Sequence, residues 1–112
     1  MSTVPELGYW NLRGLGASVR HLFSHLAVNY TFTGYTPGPE PDFNRDEWMN
    51  VKFTMGFEYP NLPYLKDGET KLTETFAILK YVATKYNPAL AGTGAAEVAR
   101  IDMLAAQAWN LI

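Results

Sequence analysis

The feature that most constrains this chain is a double-proline segment at 58–65, with the sequence EYPNLPYL. Proline has no amide hydrogen and disfavours helical backbone in the residue before it. We therefore expect Asn61 and Leu62, which lie between the two prolines, to be extended. A cis peptide is energetically accessible mainly before proline, and a cis bond before Pro63 would present the backbone of Leu62 as an unpaired edge. Such an edge can bind an extended peptide as an added strand, although an ordinary proline-rich loop is the simpler interpretation of these residues alone.

The apolar periodicity on both sides of this segment predicts an alternating order of strands and helices. Strand-like runs at 6–12 and 30–35 enclose a stretch with apolar residues at i, i+3, i+4 and i+7, which is typical of a βαβ unit. A capping-box pattern predicts a short helix over 44–53, and 64–72 is typical of a β-hairpin followed by a helix over 74–86. This order predicts an α/β (α+β) thioredoxin-like domain. Its features are a four-stranded mixed sheet, helices on both faces and a cis-proline before the third strand.

The remainder of the chain predicts a second unit. We expect a thioredoxin-like domain over 1–87, a linker of small residues over 88–94, and a helix over 95–112 that begins an all-α domain. The apolar pattern of this helix continues to the last residue and includes Trp109, Leu111 and Ile112. Exposed apolar residues of this kind mark an interface, so we expect more of a helical domain, or a partner chain, to cover them.

Composition excludes several classes of function. The net charge of −2 gives no support to binding of nucleic acid or of an anionic membrane. The absence of cysteine excludes disulfides, thiolate metal ligands and a cysteine nucleophile, and the two histidines have no further ligands beside them, so no metal site is expected. The first residues are neither basic nor apolar and no apolar run approaches bilayer length, which predicts a cytoplasmic protein without a membrane span.

Several segments resemble cytosolic glutathione transferases, especially those of the mu class. They are GYWNLRGL at 8–15, RDEWMNVKF at 45–53 and YPNLPYL at 59–65, and the runs at 77–81 and 99–104 also fit. Any one of these motifs is weak, but in this order and spacing they cover nearly the whole chain. The resemblance implies the thioredoxin-like fold with Pro63 as the cis-proline, and a site for glutathione as co-substrate with no cofactor.

The resemblance also implies a role for each matching residue. Tyr9 is the catalytic residue, because its phenol would donate a hydrogen bond to the glutathione sulfur and favour the thiolate. The glycine end of the tripeptide would be held by Arg45, Trp48 and Lys52, the peptide backbone by Asn61 and Leu62, and the γ-glutamyl end by Glu74 and Thr75; Trp10 would line the same pocket. Glu74-Thr75 stands where the mu class has Gln-Ser.

The implied partners are glutathione, an electrophilic small molecule and a second subunit. Tyr59 matches the aromatic key of the family's dimer interface, whereas Asn110 stands where the family has an aspartate that reaches the neighbouring subunit's glutathione. The implied function is conjugation of the glutathione thiol to electrophiles. The alternative is a non-catalytic, glutathione transferase-like subunit of a larger assembly. A thioredoxin-type thiol oxidoreductase is nearly excluded because the chain has no cysteine.

Overall fold

A computed structural model describes residues 4–110 of the 112-residue chain. The elements, in chain order, are β1 (Glu6–Trp10), α1 (Gly16–His25), β2 (Thr31–Tyr35), α2 (Asp46–Met49), β3 (Tyr64–Asp67), β4 (Thr70–Thr73), α3 (Thr75–Tyr86), a 3-10 helix (Pro88–Ala91) and α4 (Gly94–Trp109). No helix within residues 4–110 has both the length and the apolar character needed to cross a bilayer.

The four strands form one mixed sheet in the order β2-β1-β3-β4. β1 is parallel to β2 and antiparallel to β3, and β3 is antiparallel to β4. The parallel β1–β2 pair requires a crossover, which α1 supplies. The antiparallel β3–β4 pair needs only the tight turn between Asp67 and Thr70. The predicted thioredoxin-like arrangement, with its four-stranded mixed sheet, is therefore confirmed. The peptide bond between Leu62 and Pro63 is cis, as is the one between Glu40 and Pro41.

Two apolar clusters hold the sheet. In the first, α1 and α3 pack on the strands through residues that are fully buried: Leu7, Val19, Phe23, Leu65, Ile78 and Val82. The second is the aromatic cluster, which consists of Tyr9, Tyr35, Trp48, Phe57, Leu62 and Tyr64. The aromatic cluster matters for function because it joins the double-proline segment to α2.

The backbone just after α1 explains why this helix ends at His25. Ala27 adopts the left-handed conformation, with φ of 54°. The N–H of Val28 donates to the carbonyl of Phe23 at 3.0 Å, and the N–H of Ala27 donates to the carbonyl of Ser24 at 3.1 Å. These two bonds form a Schellman motif, in which glycine is the usual left-handed residue.

The helix predicted over 44–53 is shorter in the structure, since α2 covers only Asp46–Met49 and is followed by irregular turns. The predicted capping box does not form. The side-chain oxygen of Asn44 accepts from the N–H of Asp46 at 3.2 Å, and the Glu47 carboxylate accepts from the N–H of Thr36 at 3.2 Å. Glu47 therefore ties α2 to the chain that leaves β2 instead of returning to the start of its own helix.

The stretch predicted as a linker is partly structured, because residues 88–91 form the 3-10 helix. Beyond it, α4 lies against the rest of the structure through few contacts. Lys80 forms an ion pair with Asp102 at 2.9 Å, and the ring of Trp109 meets that of Phe76 edge-on at 5.4 Å. No residue of α4 is buried, although Val98, Ile101 and Ala105 of the predicted apolar stripe are half-buried.

Candidate functional site

A cavity of about 330 Å³ lies where the double-proline segment meets the start of α3. The β3–β4 hairpin brings these two parts of the chain together, because it returns the chain to the level of Pro63 before α3 begins. The lining residues are Leu15, Asn61, Leu62, Pro63, Glu74, Thr75, Phe76 and Trp109. Four of the residues expected to bind a tripeptide therefore surround one cavity, although they come from separate segments.

The start of α3 gives this cavity an anion-binding character. The first N–H groups of a helix have no partner inside the helix, and the helix dipole favours a negative charge beside them. Thr75 is the first residue of α3 and is one of the residues that line the cavity. Glu74, just before it, has φ of 76° and ψ of 122°, a left-handed backbone that is costly for a residue with a side chain. Strain of this kind is often retained at functional sites because it fixes the direction of a side chain.

The backbone of Leu62 differs from the expectation of a free edge. Its N–H donates to the side-chain oxygen of Asn61 at 2.9 Å. A peptide that paired with Leu62 as an added strand would therefore have to displace the Asn61 amide. The Leu62 side chain is buried in the aromatic cluster, so the edge itself is firmly held.

Tyr9 lies beneath the loop that connects β1 to α1. Its hydroxyl oxygen accepts a hydrogen bond from the N–H of Leu15 at 3.0 Å. A Cβ atom at Gly14 would lie 2.5 Å from that oxygen, and one at Gly16 would lie 2.7 Å from the ring, so both glycines permit the close approach. Because the Leu15 amide fixes one side of the oxygen, the phenol keeps its own proton available for another acceptor. Leu15 lines the cavity, whereas Tyr9 is buried and is not one of the lining residues.

Trp48 is 3% exposed and packs in the aromatic cluster. Arg45 and Lys52 flank it along the chain: the carbonyl of Arg45 accepts from the N–H of Trp48, and the carbonyl of Trp48 accepts from the N–H of Lys52. Both cations lie outside the cavity lining, and the ammonium of Lys52 lies 5.3 Å from the ring centroid of Phe53. Trp10 is half-buried and packs against the same cluster.

Tyr59 and Asn110, which the resemblance associates with contacts between subunits, lie outside the cavity lining. Tyr59 is 73% exposed, and its carbonyl accepts from the Thr73 hydroxyl at 2.8 Å. Asn110 follows the last residue of α4 and is exposed. Leu111 and Ile112 fall outside the described residues. Residues 4–110 contain no cluster of three or more side chains suited to hold a metal ion.

Sequence reasoning missed three residues that line the cavity: Leu15, Phe76 and Trp109. Trp109 was expected only as part of an interface, yet it closes one side of the cavity against Phe76. The signal that could have found it was its position next to Asn110, which the resemblance already placed near a ligand. Leu15 lay inside one of the matching motifs, but nothing local indicated that its amide bonds to Tyr9.

The chain matches known proteins over most of its length. Residues 5–84 match the family model described as glutathione S-transferase, N-terminal domain. The chain is 44% identical over 108 residues to a glutathione S-transferase of Dermatophagoides pteronyssinus, covering 96% of this chain and 48% of that protein. It is 47% identical over 98 residues to human glutathione S-transferase Mu 2, covering 88% of this chain and 44% of the relative.

Solved structures agree with these matches. The crystal structure of the glutathione S-transferase Blo t 8 superposes with a TM-score of 0.78 at 43% sequence identity, covering 91% of this chain and 44% of that one. The chain thus spans about half the length of the curated relatives it matches. On the matched residues, their extent and the fold, the chain belongs to the glutathione S-transferase N-terminal domain family.

Proposed function

We propose that the cavity beside Pro63 binds glutathione and that the chain activates the glutathione thiol for conjugation to electrophilic small molecules. The observation that carries this proposal is the meeting of Asn61, Leu62, Glu74 and Thr75 around one cavity. Their chemistry fits the γ-glutamyl half of the tripeptide. Its carboxylate is suited to Thr75 and the start of α3, and its ammonium to Glu74.

The cysteinyl and glycine parts of the tripeptide would extend from this cavity past Leu62 toward Trp48. Its cysteinyl amide pairs with the backbone of Leu62 after the Asn61 side chain moves aside. Its glycine carboxylate takes the indole N–H of Trp48 and the cations Arg45 and Lys52, which are the donors that a carboxylate prefers.

Tyr9 supplies the chemistry at the sulfur. A free thiol has a pKa of about 8.5, so at neutral pH little of it is thiolate, the reactive nucleophile. A hydrogen bond donated by the Tyr9 hydroxyl stabilises the thiolate more than the thiol, so the thiol proton is lost to solvent more readily. The thiolate then attacks the electrophilic carbon and forms the carbon–sulfur bond, while the leaving group departs with the electron pair of the bond it breaks or, in an addition, the displaced π-electron pair takes a proton from solvent. None of the residues assigned to glutathione is also assigned to the electrophile.

The same proposal includes the domain boundaries of the chain. Residues 1–87 form the glutathione-binding domain, 88–94 connect it onward, and 95–112 begin a helical unit. Tyr59 contributes to a homodimer interface, and the protein acts in the cytoplasm. The non-catalytic alternative is not favoured, because a residue able to contact the tripeptide stands at each assigned position, although Glu74-Thr75 replaces the Gln-Ser pair of the mu class and Asn110 replaces an aspartate.

Titration calorimetry of glutathione into the full chain tests the proposal. We expect one site per chain with a dissociation constant between about 1 μM and 1 mM. Thr75→Val removes a hydroxyl beside a bound carboxylate and should weaken binding by about tenfold or more. Thr84→Val, the same change at an exposed position of the same helix, is the control and should leave binding unchanged. Absence of binding, or equal effects of the two substitutions, would contradict the proposal.

A further inference from the structure

A hydrogen-bond network of four side chains lies behind Trp48. The Glu6 carboxylate accepts from the Tyr64 hydroxyl at 2.7 Å and from the Thr33 hydroxyl at 2.9 Å. The hydroxyls of Tyr35 and Tyr64 lie 2.9 Å apart. These residues come from β1, β2 and β3, so the network spans the centre of the sheet.

The donors of this network have one consistent direction. A carboxylate offers only acceptors, so the Tyr64 O–H must donate to Glu6, and the Tyr64 oxygen is left to accept from Tyr35. Tyr64 is fully buried, and burial, together with its bonds to Tyr35 and Glu6, raises its pKa far above the usual phenol value. Tyr64 therefore remains a protonated donor, and Glu6 is the acceptor on which both tyrosines depend.

The two tyrosine rings hold Trp48 from different sides. The Tyr35 ring meets the indole edge-on, with centroids 5.2 Å apart and planes at 67°. The Tyr64 ring is stacked on the indole at 5.9 Å and 24°. Such contacts are directional, because aromatic rings favour edge-on and offset-stacked geometries. A shift of either phenol would therefore tilt the indole.

The indole N–H remains available to a ligand. Within residues 4–110 the indole N–H of Trp48 makes no hydrogen bond. Every fully buried side-chain nitrogen or oxygen in that range has a hydrogen-bond partner, so the indole nitrogen is not fully buried. Since Trp48 is otherwise almost completely buried, the accessible part of its side chain includes this N–H.

We propose that Glu6 is a positioning residue: through Tyr64 and Tyr35 it fixes the Trp48 indole so that its N–H points at the glycine carboxylate of bound glutathione. This inference rests on the proposed function for the identity of the ligand. It adds a residue that touches no part of the tripeptide and that lies at the opposite end of β1 from the residues assigned to the site. We expect its effect to be confined to the glycine end, because Tyr9 and the cavity residues make no hydrogen bond in the network; Tyr9 and Leu62 share only the apolar packing of the aromatic cluster.

That confinement separates positioning from a merely structural role. A fold-stabilising residue would affect every ligand of the site alike, whereas a residue acting through Trp48 affects only ligands that carry the glycine carboxylate. Glutathione and γ-glutamylcysteine differ by that glycine. The test is calorimetric titration of both ligands into the full chain and into the variants Glu6→Leu and Glu6→Gln.

We expect Glu6→Leu to weaken glutathione binding by about tenfold, the factor that corresponds to one hydrogen bond of ordinary net strength. Binding of γ-glutamylcysteine should change by less than about twofold. Glu6→Gln keeps an acceptor for Tyr64 and should restore most of the affinity for glutathione. If Glu6→Leu does not fold, Tyr35→Phe removes the outermost donor and should show the same dependence on glycine with a smaller loss.

Equal weakening of both ligands, or no weakening of either, would overturn the inference while leaving the proposed function intact. If the unsubstituted chain binds neither ligand, the proposed function fails instead. The network can then be tested without a ligand, by ¹⁹F NMR of the chain labelled with fluorotryptophan and assigned through Trp48→Phe. The Trp48 signal should move in Glu6→Leu and return in Glu6→Gln; an unmoved signal would refute the network itself.

Discussion

Gly8 is the position at which one added methyl group should disturb this fold most clearly. It pairs with Tyr64 across the antiparallel β1–β3 pair. A Cβ atom built on Gly8 would lie 2.1 Å from the Cζ atom and 2.2 Å from the Cε2 atom of the Tyr64 ring. Both distances are far inside normal contact, so Gly8→Ala requires the ring to move.

The ring has little freedom to move. Tyr64 is fully buried, its hydroxyl is bonded to Glu6 and Tyr35, and its ring packs on Trp48 and Phe57. Overpacking of a well-packed core costs about 1–3 kcal/mol. Rotation of the ring also breaks the hydrogen bond to the Glu6 carboxylate, which costs about 1.5–3 kcal/mol. We therefore expect Gly8→Ala to lower the free energy of unfolding by about 2.5–6 kcal/mol.

Urea unfolding followed by tryptophan fluorescence measures this loss, and Gly38→Ala provides the control. The three atoms nearest to a Cβ atom at Gly38 all belong to the side chain of Asn44, which is exposed and can turn away at the cost of its hydrogen bond with the N–H of Asp46. This variant should lose less than about 1 kcal/mol. If Gly8→Ala proves as stable as the unsubstituted chain, the Tyr64 ring does not lie against Gly8, and the hydrogen-bond network behind Trp48 is wrong as well.

Two further predictions concern stability away from the site. Ala27→Gly should raise the free energy of unfolding by about 0.5–1 kcal/mol, because glycine adopts the left-handed conformation at the end of α1 without a steric cost; a loss of stability in thermal unfolding would contradict the observed geometry. Asp67 is buried, which alone would raise its pKa, but the hydrogen bonds from Lys85 and Tyr81 outweigh burial and hold the pKa below its usual value. A carboxyl whose pKa is lowered by folding stabilises above its unfolded pKa and loses that contribution as the pH falls toward the folded value. Asp67→Asn should therefore lower the free energy of unfolding by about 1 kcal/mol at pH 7, a figure discounted because Lys85 is half-exposed, and by less at pH 3. Urea unfolding at both pH values measures the difference in stability between the variant and the unsubstituted chain. A difference that is the same or larger at pH 3 would refute the assignment.

Most of the fold could be predicted from the sequence because the strands and the long helices carry strong apolar periodicity. Ile78 and Val82, which lie four residues apart on α3, are fully buried. The weaker prediction was α2, because its start depends on contacts with the distant Thr36, which no local pattern encodes. The end of α1 at His25 could not be predicted, because it depends on the left-handed backbone of Ala27, and an alanine gives no sequence signal for that conformation.

The candidate site could be predicted from motifs only where its residues lie inside them. Asn61, Leu62, Glu74 and Thr75 line one cavity because the segments that carry them lie next to elements whose order fixes the topology, and their role in binding stays a prediction. The network of Glu6, Tyr35 and Tyr64 could not be predicted in this way. Its members are 29 and 58 positions apart, and hydrogen bonds between strands follow from register, which periodicity leaves open.

The most direct test of the central claim is the pKa of the glutathione thiol when bound, followed by ultraviolet absorbance of the thiolate across a pH titration. The thiol of glutathione bound to the full chain should ionise clearly below the free value of about 8.5. In Tyr9→Phe that pKa should return toward the free value, while the dissociation constant of glutathione changes little. A bound thiol with the same pKa in the unsubstituted chain and in Tyr9→Phe would contradict the claim that Tyr9 activates the sulfur.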